Sequence, residues 1–295
     1  MSACPSGLKT FTLCINQNTK MKYFRKLVRP YIIWSFILIV IPLFMIFMYA
    51  VTKSGNSILN ISFTLENFAK FADPVYISVF LNSIKLGLIT VAICLVLGYT
   101  MAYVIAQFSE RTQNILILLV TIPTWINMLL RTYAWISILS DNGILNSVLE
   151  KLGLSPVSVM YTDFSVLLGL VCNFLPFMII PIHTSLSKMD KSLIEASYDL
   201  GADKFQTFWR VIFKLSIPGV LNGIIMVFLL SVSAFVIPKL LGGGQYMLIG
   251  NLIENQFVSV GDWNFGSAIS LILAAIILIA TGLMKKIDPD ESKEG

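Results

Sequence analysis

Charge is what this chain has least of. Asp, Glu, Lys and Arg supply 13% of its 295 residues, against a hydrophobic share of 56%. That is about half the charged share of an ordinary soluble domain. A water-facing surface cannot be covered with so few charges, so most side chains must face lipid or one another. Histidine is almost missing. A relay or metal centre built on the one imidazole, His183, would need partners that the sequence does not supply, and His183 reads as a hydrogen-bonded residue near the end of an apolar run. The four cysteines contain no C-x-x-C pair and no Cys/His metal spacing, so they read as small apolar residues. No G-x-x-x-x-G-K-[ST] occurs, which excludes a P-loop cradle for ATP phosphates. No pair of carboxylates falls inside an apolar run, which argues against a proton- or sodium-driven carrier with midplane acids.

What is present is a series of long uncharged runs. They cover residues 30–52, 86–109, 112–140 (interrupted by Arg131), 164–187, 215–238 and 263–284. Each is about as long as a helix needs to cross the hydrocarbon. None alternates polar and apolar residues as barrel strands do. The expectation is an all-α polytopic membrane protein with six transmembrane helices and no room for a soluble catalytic domain. The first run is too long for a signal-peptide core and lacks a small-residue cleavage site after it. Residues 1–20 are polar and irregular, and read as a disordered tail or as lying upstream of a start at Met21. The organisation is then a tail at 1–29, a membrane domain at 30–284 and a second tail at 285–295.

The basic residues orient this domain. With the N-terminus inside, fifteen Lys and Arg fall in inner segments and five in outer ones, with Arg131 left in a span. That bias places both termini in the cytoplasm. The net charge of +5 is therefore a topology signal. Its spread over four inner segments is unlike a nucleic-acid footprint.

One inner loop, residues 188–214, has the marks of structure. Ser192 with Glu195 and Asp203 with Gln206 have capping-box spacing. Gly201 stands where a first short helix would end in the left-handed conformation. Two short helices with a corner at Gly201-Ala202 are expected. The first presents Leu193, Ala196 and Leu200; the second presents Phe205, Phe208, Trp209 and Ile212. Such apolar side chains on an inner loop either dock a partner or fold back on the loop's own helix ends.

At this point the sequence resembles a known family. Glu195-Ala196-Ser197, three residues and Gly201 is similar to the EAA-x3-G signature of ABC importer permeases. Ser197 replaces the second alanine, and Lys214 stands where the family pattern has proline. The likeness extends along most of the chain and is strongest to the PotB-type spermidine/putrescine permeases. It includes Ser62 to Phe68, Asp73-Pro74-Val75-Tyr76, Asn82-Ser83-Ile84, Pro123 to Asn127 with Arg131-Thr132-Tyr133, Leu248 to Asn251 and Asp262 to Gly266.

The resemblance implies a type I ABC importer permease (MetI-like) fold in a bacterial inner membrane, no cofactor, and no enzymatic activity in this chain. It implies four kinds of partner: a homologous second permease (PotC-like), a cytoplasmic ATPase dimer (PotA-like), an extracytoplasmic substrate-binding protein (PotD-like) and membrane lipid. Nucleic acid is not among them. It makes Glu195, Ala196, Ser197, Leu200, Gly201, Phe205 and Phe208 the ATPase-coupling loop. For a polyamine path, aromatic faces suit a cation, and the candidates are Trp125, Asn127, Arg131, Tyr133, Trp135 and Asn173. A charge at the centre of a span costs about 2.5–3.5 kcal/mol. Arg131 either snorkels toward Asp141 or pairs at the permease–permease interface. Outer carboxylates Glu66, Asp73, Asp141, Glu254 and Asp262 are candidates for guiding a cation. The same architecture with another solute (iron, a thiamine-like compound or an anion), and a stand-alone carrier or channel, are the alternatives.

Overall fold

A backbone in lipid must satisfy its own N–H and C=O groups, and helices do so within one segment. The computed structural model describes residues 8–53, 62–244 and 246–285. Among these, regular structure is helical, apart from one bridge between Thr52 and Phe63. The helices are α1 (Leu8–Ala50), α2 (Glu66–Phe71), α3 (Pro74–Ala106), α4 (Glu110–Trp125), α5 (Met128–Leu139), α6 (Ile144–Lys151) and α7 (Asp163–Ser187). Then come α8 (Lys191–Asp199), α9 (Lys204–Thr207), α10 (Phe213–Val232), α11 (Val236–Leu241), α12 (Ile249–Asn255) and α13 (Trp263–Lys285). α1 starts at Leu8, so the irregular tail expected at 1–20 is helical over its described part. The expectation for 285–295 falls outside the described residues except at Lys285.

Five segments are long and apolar enough to cross a membrane: Pro30–Ala50, Pro74–Ala106, Asp163–Ser187, Lys204–Val232 and Trp263–Gly282. The third expected span, 112–140, is not one straight helix. α4 and the helical stretch after it meet at 90°. Pro123 lacks the N–H that would continue the ladder. Three residues on, Ile126 is extended with ψ 137°, and Asn127 restarts the helix by accepting from the Leu129 N–H at 2.8 Å. Counted as one broken span, the pair makes six.

Helix starts follow side-chain chemistry. Asp73 accepts from the Val75 N–H, with Pro74 at the first helical position. Thr162 and Ser165 cap α7 reciprocally. At its far end α1 leaves carbonyls without intrahelical partners. Asn67 Nδ2 donates to the carbonyls of Ala50 and Thr52, both at 2.9 Å. Asn264 Nδ2 donates to those of Tyr49 and Thr52, at 2.9 and 2.8 Å. Two amides thus fasten α1 to α2 and α13. The rest of α1 from Tyr31 to Phe47 is largely exposed in the single chain, a surface for lipid or another subunit.

The core lies between α3, α7 and α10, with Val166, Leu170, Met178, Ile179, Ile182 and Val227 fully buried. Lipid tails are as apolar as these side chains, so close approach rather than water exclusion must hold the helices together. α10 supplies it with Gly219 and Gly223, a G-x-x-x-G spacing. A Cβ at Gly219 would stand 2.6 Å from the Pro181 carbonyl oxygen and 2.7 Å from Ser185 Cβ; one at Gly223 would stand 2.7 Å from Met178 Sδ. Polar groups add cross-links. The Tyr99 and Ser216 hydroxyls are 3.0 Å apart, and His183 Nε2 lies 3.2 Å from Gln113 Oε1.

Gly219→Leu is expected to push α10 off α7, an overpacking that costs about 1–3 kcal/mol or more. Gly282→Leu serves as its control, because a Cβ there meets nothing within 4 Å. Thermal unfolding of the detergent-purified protein should show a lower midpoint for the first variant and an unchanged one for the second. Equal midpoints would contradict the packing assigned to Gly219.

Candidate functional site

The inner loop folds as its sequence requires, with one shift. Its first helix is capped two residues before Ser192, because Asp190 accepts from the Ser192 N–H at 2.9 Å. That bond holds the exposed Asp190 carboxyl below its usual pKa. Ser192 is therefore not the cap. The helix ends in a Schellman turn: Ala202 N–H donates to Ser197 O at 3.1 Å and Gly201 N–H to Tyr198 O at 2.9 Å. Gly201 has φ +81°, a conformation that side chains disfavour. A Cβ on it would meet nothing within 4 Å, so backbone strain, and no clash within the chain, argues for glycine. Asp203 then caps α9 by accepting from Gln206 N–H at 2.7 Å.

The corner is locked from inside. Ser197 Oγ and Thr207 Oγ1 are 2.9 Å apart and buried. Glu195 and Ala196 are exposed, Leu193 also, and Leu200 is 88% exposed. Phe205 and Trp209 face outward as well. Phe208 and Ile212 do not join that outward face. Phe208 is half-buried, with its ring edge-on to Tyr99 at 5.8 Å and Tyr103 at 5.3 Å, and Ile212 is buried. The register changes because Phe208–Ile212 is a π turn that runs directly into α10. The loop therefore leaves through a continuous helical segment past Lys214.

The path candidates are spread. Trp125 and Tyr133 are exposed on α4 and α5. Asn127 is an exposed helix cap at the break. Arg131 is half-buried one turn further on, and its Nε has no partner. Trp135 packs against the core. Asn173 is buried on α7, donating to Gly169 O at 2.8 Å while its Oδ1 lacks a partner. Among the described residues no hydrogen bond or ring contact joins Asn173 to the α4–α5 group. The outer carboxylates are partly engaged: Asp262 pairs with Lys70 at 3.1 Å, Glu254 with Lys239 at 2.7 Å, and Asp73 caps α3.

Two cavities at the opposite end of the core from the loop bring together residues that no sequence pattern connects. The larger, about 720 Å³, is lined by Asn82, Lys85, Leu86 and Ile89 of α3, by Asp163, Phe164 and Leu167 of α7, and by Tyr246 and Met247. The smaller, about 260 Å³, shares Tyr246 and Met247 and adds Lys239, Asn251, Glu254 and Ser259. Burial, with Asp163 beside it, pushes the Tyr246 phenol up to about 12. Asn251 donates to Phe235 O at 2.7 Å, but its buried Oδ1 has no partner. An orphaned acceptor of this kind costs about 1–3 kcal/mol. The segment is held in place by Ile249 N–H, which donates to Ser83 Oγ at 2.8 Å. Among the described residues no three His, Cys, Asp or Glu side chains gather as a metal ion would need.

Comparison with known proteins adds to this geometry. The pattern of the family described as binding-protein-dependent transport system inner membrane component matches residues 95–293. The spermidine/putrescine transport system permease protein PotB of Salmonella typhimurium (strain LT2) is 39% identical over 247 residues, 83% of this chain and 86% of that one. The PotB protein of Escherichia coli K12 is 38% identical, over 83% and 90% of the two chains. A chain from the crystal structure of a bacterial ABC transporter that imports the acidic polysaccharide alginate superposes with a TM-score of 0.73. That match covers 94% of this chain and 99% of the other, at 16% identity, and is a likeness of fold.

Ser197→Leu is expected to open the corner, since the buried site between α8 and α9 has room for a hydroxyl pair only. Limited trypsin digestion should then cut at Lys204 and Arg210 faster than in the unaltered protein. Ser197→Ala, which keeps a small side chain but leaves the buried Thr207 hydroxyl without its partner, should digest at a rate between those two. Equal rates for Leu and the native Ser would contradict the lock.

Proposed function

From its membership of the binding-protein-dependent transport system inner membrane components, the family to which this chain belongs, we propose that it forms half of an import path for polyamines such as spermidine and putrescine. The chain is a permease subunit and not an enzyme; ATP hydrolysis resides in separate subunits. It works with a second permease, ATPase subunits and a binding protein. The finer reading is that these are PotC-like, PotA-like (as a dimer) and PotD-like. The fifteen-to-five distribution of basic residues supports a cytoplasmic position for both termini.

The observation that carries the coupling reading is the two-sided loop. Outward, Glu195, Ala196, Leu200, Phe205 and Trp209 make an exposed ridge on short, capped helices. Such a ridge suits a helix-in-groove contact with an ATPase. Inward, Phe208 is wedged against Tyr99 and Tyr103. When ATP binding draws the ATPase subunits together, the ridge moves with them. The π turn and α10 pass that movement to the core as a rigid unit. The membrane helices then exchange between inward-open and outward-open arrangements.

Along the path, Trp125, Tyr133 and Trp135 offer aromatic faces to a polycation, with Asn127 and Asn173 as amide partners. Arg131 is a poor ligand for such a cargo because like charges repel. Its unpartnered Nε fits a carboxylate of the second permease. The likeness to polyamine permeases supports this cargo over iron, a thiamine-like compound or an anion, and family membership leaves a stand-alone carrier or channel without support.

Two measurements test the reading. In cells, labelled spermidine uptake should stop on ATP depletion, persist with a protonophore, and be competed by putrescine but not by sulfate. Uptake that follows the protonophore, or competition by anions alone, would overturn it. Gly201→Asp should abolish uptake while the protein still inserts. Asp enters the left-handed region more readily than most residues, and a side chain at Gly201 has free space within the chain. An unchanged thermal-unfolding midpoint of the variant would separate a defect in the docked groove from backbone strain at φ +81°. Normal uptake by this variant would remove Gly201 from the coupling contact.

A further inference from the structure

The two cavities that share Tyr246 and Met247 are not explained by the coupling loop or by the path residues. We propose that together they form a receiving site for a linear polyamine on the outer side, with Asp163 facing one ammonium group and Glu254 with Asn251 facing another. This rests on the polyamine reading above and on the orientation proposed with it.

Four observations support it. First, Tyr246 and Met247 line both cavities, so the two are neighbours on either side of these side chains. Leu86, Ile89 and Met247 give a polyamine's methylenes an apolar wall, and the Tyr246 ring suits a cation. Second, each cavity holds one carboxylate, Asp163 in the larger and Glu254 in the smaller. Third, Asn251 is 7% exposed and lines the smaller cavity, and its Oδ1 is buried without a partner, so a turn of the side chain brings that acceptor to a bound N–H. That acceptor calls for an N–H donor, which an ammonium or secondary ammonium group supplies and a carboxylate or sulfate does not. Fourth, Lys239 Nζ already occupies Glu254 at 2.7 Å. An alkylammonium cargo exchanges with it like for like, so the empty site is not left with a bare acid.

Lys85 works in the other direction. It lines the larger cavity and makes no ion pair among the described residues. Facing a polycation it weakens the hold, which suits a site that must pass its cargo on. The charge signs of Asp163 and Lys85 therefore make opposite predictions, and a merely structural role for either residue does not.

The experiment uses the whole complex in proteoliposomes, with saturating spermidine-loaded binding protein. Its readout is spermidine moved per ATP hydrolysed. Asp163→Asn and Glu254→Gln should each lower this ratio several-fold while hydrolysis continues, because the ATPases still cycle but the cargo is not received. Lys85→Met should raise it. A defect of folding or docking lowers transport and hydrolysis together and leaves the ratio unchanged, which overturns the proposal. So does the reverse pattern, a higher ratio in Asp163→Asn and a lower one in Lys85→Met, which would make the site one for anions. Loss of the second permease on purification of Asp163→Asn would make the cavity an assembly surface and overturn it as well. If the unaltered complex moves no polyamine, the substrate reading fails; if it does and all three variants keep its ratio, the receiving site alone fails.

Discussion

The approach of α10 to α7 at Gly219 and Gly223 is the contact on which the rest depends. A membrane removes the hydrophobic drive between helices, so what holds them is fit. With backbone and side-chain atoms under 3 Å from where a Cβ would lie, the two helices cannot slide past one another without separating. α3 joins through buried Leu86, Cys94 and Ala102 and through the Tyr99–Ser216 hydroxyl pair. Everything functional hangs from the ends of these three helices. At one end the 188–214 loop, for which a coupling role is proposed, continues into α10 and leans on Tyr99 and Tyr103 through Phe208. At the other, α3 and α7 carry Lys85 and Asp163, and Ser83 fixes the start of α12.

This arrangement gives the transport cycle a physical path. A rigid block passes motion between its ends without storing it in soft joints. The sharp changes of chain direction lie outside the block, at Gly201 and at the α4–α5 break. Arg131, Trp125 and Tyr133 gather near that break, on a surface the single chain leaves open. The long exposed face of α1 adds a second such surface. Both fit a subunit that is completed by partners.

Much of this was legible in the sequence. Five runs without charge became spans, because hydropathy over twenty residues reports directly on the solvent a helix can tolerate. The corner at Gly201 and the cap at Asp203 were legible because caps and left-handed glycines act over three to five residues. The break at Asn127 was not, since a bent apolar helix has the same hydropathy as a straight one; Pro123 followed by an Asn was the available signal. The inward turn of Phe208 depends on a π turn that shifts register by one residue. Ser197–Thr207, His183–Gln113 and the Asp163–Tyr246–Glu254 cavities are tertiary, joining residues 10 to 91 positions apart, so no local rule pointed to them. G-x-x-x-G on α10 was in plain view and marks a close approach of α10 to α7.

Fold and cargo separate cleanly here. A chain from an importer of an acidic polysaccharide has the same architecture, while the relatives named for polyamines share over a third of their residues with this chain. Site-directed cross-linking tests the coupling claim most directly. A cysteine at Leu200, the most exposed apolar side chain of the loop, should form a cross-link to the ATPase subunit in the assembled complex, and nucleotide should change its yield. An assembled, active complex in which the cysteine introduced at Leu200 remains freely labelled by a water-soluble thiol reagent, with no cross-link in any nucleotide state, would contradict the account.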